Sequence, residues 1–250
     1  NDYNINVKEH FKVVGIKKGI IKIVELSSGE NIDTKTVIIA TGARWRELNV
    51  PGEKENLGNG VAYCPHCDGP FFKNKDVAVV GGGNSGIEAA LDLAGIVKKV
   101  TVLEFMPDLK ADKILIDKAE AKDNIEIIKN AQVERVVSEQ GKVTGLDYLD
   151  RNTTNQKNVD LDGIFVQIGL VPNSQFLIDV VKLTSHGEIV VNENGETSEK
   201  GIYACGDVTT VPYKQIIISM GEGAKTALSV ADYLMKTEDY DIELVGAKSA

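Results

Sequence analysis

Val77-Ala78-Val79-Val80-Gly81-Gly82-Gly83-Asn84-Ser85-Gly86 is the stretch on which the reading of the fold turns. Four apolar residues in succession describe a strand buried on both faces, as in a parallel sheet. A Gly-x-Gly-x-x-Gly turn follows at once (Gly81, Gly83, Gly86), and Ser85 to Ala94 then has the apolar spacing of a helix. Strand, glycine turn and helix in that order suit a bound dinucleotide. The first glycine makes the tight turn, the second admits the pyrophosphate, and the third lets helix and strand approach closely. Asn84 and Ser85 open the helix, whose N-terminus favours phosphate charge. Val100 to Leu103 reads as the next strand, and Glu104 closes it. From there a carboxylate accepts a hydrogen bond from the ribose 2′-OH of NAD. No Arg lies nearby in sequence to take a 2′-phosphate, and Lys110 is the nearest basic residue, so the pattern favours NADH over NADPH. A glycine turn that serves packing alone is the alternative.

Upstream lies Cys64-Pro65-His66-Cys67-Asp68-Gly69-Pro70. A C-x-x-C pair holds two sulfurs close enough to cycle between dithiol and disulfide, and such spacing lowers one thiol pKa. Asp68 offers a proton-transfer group beside a thiolate, and His66 between the sulfurs is a donor or an ordinary surface histidine. Zinc needs about four ligands, and only Cys205 and scattered histidines remain, so no metal site is read. An incidental or structural pair stays open. A dithiol just ahead of a nucleotide-binding unit suggests electrons passing from a nicotinamide to a disulfide. Cys205, in Ile202-Tyr203-Ala204-Cys205-Gly206-Asp207, reads as a small buried residue. His10 and His186 have no carboxylate or nucleophile at useful spacing. Asp150 to Asp162 looks calcium-like, but Asn155 stands in the glycine position and Leu161 in that of the terminal Glu, so a turn is expected.

Along the chain, His10 to Ile16 and Ile20 to Leu26 read as a hairpin, and Thr36 to Ala40 as a buried strand ending in Thr41-Gly42. Asn49 to Gly60, with Pro51 and several glycines, reads as a linker. Helix Lys113 to Ala121, strand Ile125 to Ile128 and a hairpin through Gly141 follow, then strand Gly163 to Ile168. Gly169 to Asn173 forms a second hinge. Strands at 187–191 and 201–204 precede a long helix from Gln215 to Leu234. The expectation is an α/β protein in which residues 56–168 form a Rossmann-like domain inserted into another built from 1–55 plus 169–250.

At 250 residues the chain can bury a full core. A net charge of −9 argues against nucleic acid as a partner. No apolar run approaches the roughly 20 residues of a membrane span. Three cysteines, two of them in C-x-x-C, fit a reducing compartment, and cytoplasm is expected. Asn1-Asp2-Tyr3-Asn4 has no initiator Met and no signal-peptide pattern, and reads as a cut within a larger protein.

Cys64 to Pro70, Gly81 to Gly86, and Val211-Pro212-Tyr213-Lys214-Gln215-Ile216-Ile217-Ile218 resemble the thioredoxin reductase-like flavoproteins over essentially the whole chain. Within them the chain is most similar to the branch that supplies peroxide-reducing systems. The resemblance implies Cys64 as the sulfur for dithiol exchange, Cys67 as the one facing a flavin, and Asp68 as the proton donor and acceptor. It places Thr41 and Gly42 at the strand end of an FAD site and Gly206 and Asp207 on the ribityl chain. Gln215 and Ile216 fall at the helix start near the isoalloxazine, whose reduced anion a positive dipole end favours. The implied fold is a Rossmann-like NAD-binding domain inserted into a truncated, three-layer FAD-binding domain. The family's first glycine-rich βαβ unit and the branch's N-terminal thioredoxin-like domains have no counterpart here. The implied cofactors are FAD and NAD, the implied partner a peroxiredoxin reached through such an N-terminal domain, and the implied assembly a homodimer. In this family the NAD domain swings about its hinges between two positions at the flavin. A stand-alone thioredoxin reductase preferring NADPH, and a non-catalytic NADH-binding fragment lacking FAD, are the alternatives.

Overall fold

The computed structural model describes residues 5–246, and their side chains as far as Thr237. It divides into two compact units, Asn1–Arg44 with Val171–Ala250, and the inserted Trp45–Leu170.

The flanking unit begins with an antiparallel meander of β1 (Val13–Lys17), β2 (Lys22–Leu26) and β3 (Asn31–Thr34). Ile16 pairs with Val24, and Val24 with Ile32. β3 gives little sequence signal, because Ile32 is its only apolar residue. β4 (Val37–Ile39) then leads to Thr41-Gly42, and β5 (Ala43–Trp45) carries the chain into the inserted unit.

The crossing precedes Asn49 to Gly60, so that Pro- and Gly-rich stretch is not a linker. It folds around Glu53, which is 1% exposed. Oε1 accepts from the Leu48 N–H and the Tyr63 hydroxyl, both at 2.9 Å, and Oε2 from the Asn49 N–H at 2.7 Å. The Val136 N–H donates to the Pro51 carbonyl, tying the stretch to the sheet that follows. A buried carboxylate with three donors is a satisfied anchor.

The inserted unit continues with β6 (Val61–Ala62), α1 (Pro65–Asp68), β7 (Asp76–Val80), α2 (Asn84–Ala94), β8 (Lys99–Glu104), α3 (Lys113–Glu120) and β9 (Ile125–Lys129). β10 (Ala131–Glu139), β11 (Lys142–Asp150), β12 (Asn155–Asp160) and β13 (Gly163–Val166) complete it. The segment expected as a mere turn at 150–162 thus turns at Arg151 to Thr154 and then pairs as β12 along β11. Polar residues on an outer edge strand conceal it from a periodicity reading. The central sheet is wholly parallel, in the order β6-β13-β7-β8-β9. Alternation along β7 sends Val77 and Val79 to one face and Ala78 and Val80 to the other. The first pair packs against Ile87, Ala90 and Leu93 of α2, with Phe72 edge-on to Phe165. The second packs against Val136, Val143 and Leu146 of the antiparallel β10-β11-β12 sheet. Helix covers one face and sheet the other, which is why the strand reads as an unbroken apolar run.

The return crossing is β14 (Leu170–Pro172), which pairs with β5 in a two-stranded ribbon. The segment expected as a strand at 187–191 forms only isolated bridges, from Ile189 to Leu183 and to Thr209. β15 (Ile202–Ala204) pairs parallel to β4, and α4 (Ile216–Gly246) closes the described chain. Ile39, Leu177, Ile189, Ile202 and Val208 form this unit's core. No helix among the described residues is long and apolar enough to cross a membrane.

Candidate redox and dinucleotide site

Cys64 is the N-cap of α1. Its sulfur accepts from the Cys67 N–H at 3.2 Å, and Pro65 occupies the first turn, where its fixed φ suits a helix start. Cys64 and Cys67 are joined in a disulfide. The Asp68 N–H donates to the Cys64 carbonyl, which sets the first acidic side chain one residue beyond the pair. Cys64 and Asp68 are half-buried and Cys67 is exposed. His66 Nδ1 lies 3.6 Å from an Asp92 carboxylate oxygen on α2, both side chains being largely exposed.

In the glycine turn, Gly81 has φ +124°, and a Cβ there would collide with the Gln167 carbonyl oxygen. A Cβ on Gly86 would collide with the Gly81 carbonyl oxygen. Gly83 differs: φ is −84°, and nothing lies within 4 Å of where its Cβ would stand. The outer glycines are therefore demanded by packing, and the middle one faces open space beside the start of α2. The first N–H groups of that helix have no intrahelical acceptor. Asn84 donates to the Asp112 carboxylate at 3.0 Å and accepts from the Asp112 N–H at 2.7 Å, so its amide joins the starts of α2 and α3. Ser85 is exposed on the same turn.

Glu104 holds the turn from the next strand. Its Oε2 accepts from the Gly82 N–H at 2.5 Å and its Oε1 from the Met106 N–H at 2.8 Å, and each oxygen retains a lone pair. An open cleft of about 510 Å³ runs past Gly81, Leu103, Glu104, Phe105 and Ala131. The absence of a nearby Arg in sequence does not survive folding. Arg151 donates from Nη1 to the Phe105 carbonyl at 2.7 Å, and its guanidinium lies 3.9 Å from the Phe105 ring centroid. Its separation in sequence, bridged by the β11–β12 turn, hid it.

The Cys64 loop follows β6, the glycine turn follows β7, and Glu104 ends β8. These strands run parallel, so all three features lie along the C-terminal edge of one sheet, where open α/β sheets bind ligands.

The flanking unit gathers its own set. Asn173 receives the Thr41 hydroxyl on its carbonyl oxygen at 2.8 Å, returns its amide to the Thr41 carbonyl at 2.9 Å, and takes Arg44 on Oδ1. Gly42 has φ +66° with open space beyond it. Asp207 accepts from the Ser219 hydroxyl at 3.0 Å on α4. Lys214 is tied to Glu188 and to the Thr209 carbonyl. Gln215 is half-buried, and Ile216 is exposed. Asn173 and Ser219 escaped the sequence reading, having neither motif nor period to mark them. Cys205 is buried and free, and burial pushes its thiol pKa up, in keeping with a small core residue.

The Cys64–Cys67 disulfide and the glycine turn thus share one edge of the parallel sheet. The chain belongs to the pyridine nucleotide-disulphide oxidoreductase family, matching it over residues 1–227. It is 53% identical over 233 residues to a subunit of alkyl hydroperoxide reductase from Pseudomonas putida, covering 93% of this chain and 45% of that protein. It is 52% identical over 235 residues to a Bacillus subtilis protein named NADH dehydrogenase, covering 94% of this chain and 46% of that one. Among solved structures, thioredoxin reductase from Streptococcus pyogenes superposes with a TM-score of 0.85 at 36% identity, over 90% of this chain and 74% of that one. The chain thus spans less than half the length of these curated relatives.

Proposed function

We propose that this chain is the dithiol- and dinucleotide-bearing part of an NADH- and FAD-dependent disulfide reductase serving a peroxiredoxin. The carrying observation is the alignment of Cys64–Cys67, the Gly81–Gly86 turn and Glu104 on one edge of the parallel sheet. Trp45–Leu170 would be the NAD domain with the redox pair, and the flanking unit part of an FAD domain.

The residues fit both cofactors. The space beside Gly83 and the free N–H groups of α2 suit a pyrophosphate, and the remaining lone pairs of Glu104 suit a ribose diol. A 2′-phosphate would meet that carboxylate, hence NADH. The open face of Gly42 and the half-buried Asp207 suit FAD. When bound, NADH and FAD supply hydride and two-electron transfer. The Cys64–Cys67 bond accepts two electrons and opens to a thiol and a thiolate, with Asp68 moving the proton. Cys64 thiolate attacks an acceptor disulfide and expels one acceptor thiolate. Cys67, its proton taken by Asp68, then attacks Cys64 Sγ as a thiolate, restoring the disulfide, and the second acceptor sulfur leaves as a thiol carrying that proton. A peroxiredoxin system and a second copy of the chain are the proposed partners. The solved relatives favour a second reading, a stand-alone thioredoxin reductase, which the placement of Glu104 opposes.

Anaerobic reductive titration of the flavin-loaded protein tests the proposal. Four electrons per chain are expected, and two for Cys64→Ser. Two for both would remove the disulfide from the electron path.

A further inference from the structure

The turn after β8 is held from outside by groups far away in sequence. Asn130 N–H donates to the Met106 carbonyl at 3.1 Å, and the Arg151 N–H donates to the Asn130 carbonyl at 2.8 Å. The Arg151 side chain closes the ring, donating to the Phe105 carbonyl and lying over the Phe105 ring. The neighbouring Asp150 carboxylate is occupied by Lys157 at 2.7 Å and by the Asn152 and Thr153 N–H groups. The guanidinium is therefore directed at Phe105 and not at that carboxylate. Met106, the next residue, supplies the N–H that fixes Glu104 Oε1.

We infer that Arg151 is a positioning residue for dinucleotide choice. It clamps Phe105-Met106, and through the Met106 N–H it orients the Glu104 carboxylate toward the ribose of NADH. The inference rests on the reading that Gly81 to Glu104 holds that cofactor. A planar guanidinium stacks and donates in one geometry, which an ammonium does not reproduce. Without the clamp, Glu104 keeps its charge but loses its aim, so the discrimination against a 2′-phosphate falls along with the ribose contact.

Equilibrium titrations of the whole chain with NADH and with NADPH, followed by nucleotide fluorescence, test this without flavin or turnover. In Arg151→Ala, NADH affinity should fall about tenfold, equivalent to about 1.4 kcal/mol. NADPH affinity should change by less than about twofold, the separation that a selectivity role requires beyond general weakening. Arg151→Lys should lose most of the same selectivity while keeping its charge, and a melting curve for each variant checks that the fold persists. Glu104→Gln should narrow the preference likewise, and Arg151→Ala added to it should narrow it no further, since both act through one contact. If both Arg151 variants keep the wild-type preference while Glu104→Gln loses it, Arg151 does not position Glu104. Equal weakening of NADH and NADPH by the Arg151 variants would also overturn the inference. If Glu104→Gln keeps the preference, the reading of Glu104 itself falls.

Discussion

The inserted unit and the flanking unit reach burial by different routes. In Trp45–Leu170 the parallel sheet is covered by α2 on one face and by an antiparallel sheet on the other, and β7 has no exposed apolar residue. In the flanking unit β4 pairs only with β15 among the described residues. Ile38 in β4 remains 41% exposed, while Ile216 and Ile217 at the start of α4 are 83% and 74% exposed. Two parallel strands bury too little by themselves, since such sheets normally have both faces covered. The candidate dinucleotide turn therefore stands on a self-sufficient scaffold, whereas the candidate flavin residues stand on one with much uncovered apolar surface.

The largest expected effect breaks the chain at its crossings. Residues 45–170 expressed alone should unfold cooperatively on heating and bind NADH as the whole chain does. Residues 1–44 joined to 171–250 by a short Gly-Ser linker should show no cooperative transition. A non-cooperative inserted unit would end the contrast.

Within the inserted unit, two alanines separate packing from ligand space. Gly86→Ala drives a methyl into the Gly81 carbonyl and should cost about 3 kcal/mol, at the upper end of overpacking penalties. Gly83→Ala adds a methyl where nothing stands and at an allowed φ, so the melting temperature should hold. NADH affinity should nevertheless fall about tenfold or more, as a contact worth about 1.4 kcal/mol would dictate. Matched effects on stability and binding in both variants would refute the assignment of the middle glycine to the ligand.

The Glu53 anchor comes next in size. Glu53→Gln places an amide where the Asn49 N–H donates and should cost about 1–3 kcal/mol in chemical denaturation. Burial, and then the hydrogen bond to Glu53, push the Tyr63 phenol pKa above its ordinary value. A raised folded-state pKa keeps the proton on in the native state. Its stabilisation is thus complete below the unfolded value of about 10 and is lost as pH rises through the folded one. Tyr63→Phe should remove that alkaline loss, seen as a flatter denaturation midpoint above about pH 10.

What could be read in the sequence follows from how each element is buried. β7, the glycine turn and α2 were legible because one pattern serves strand burial, turn geometry and helix packing together. The Cys64 pair was legible because redox chemistry restricts residue type and spacing. β3 and β12 were not, being mostly polar and on outer edges. Residues 49–60 misled, since Pro and Gly serve a packed turn around Glu53 as well as a linker. Arg151 and Asn173 act through contacts made only on folding, and no local pattern marks either.

The smallest expected effect is at the outer face of the covering sheet. The Asn158 amide and the Arg135 guanidinium hold the Asp147 carboxyl below the usual carboxylate range. A depressed folded-state pKa gives stability that is present above the unfolded value of about 3.9 and is lost as pH falls through the folded one. Arg135 is 60% exposed, so the pair is screened, and Asp147→Asn should cost only about 0.2–1 kcal/mol at neutral pH. The difference from wild type should vanish in acid. If the inserted unit draws its stability from the two clusters on either side of β7, this pair adds little to it. A loss comparable to that of Glu53→Gln would place much of the unit's stability on its polar surface, and the contrast with the flanking unit would then need another basis than burial.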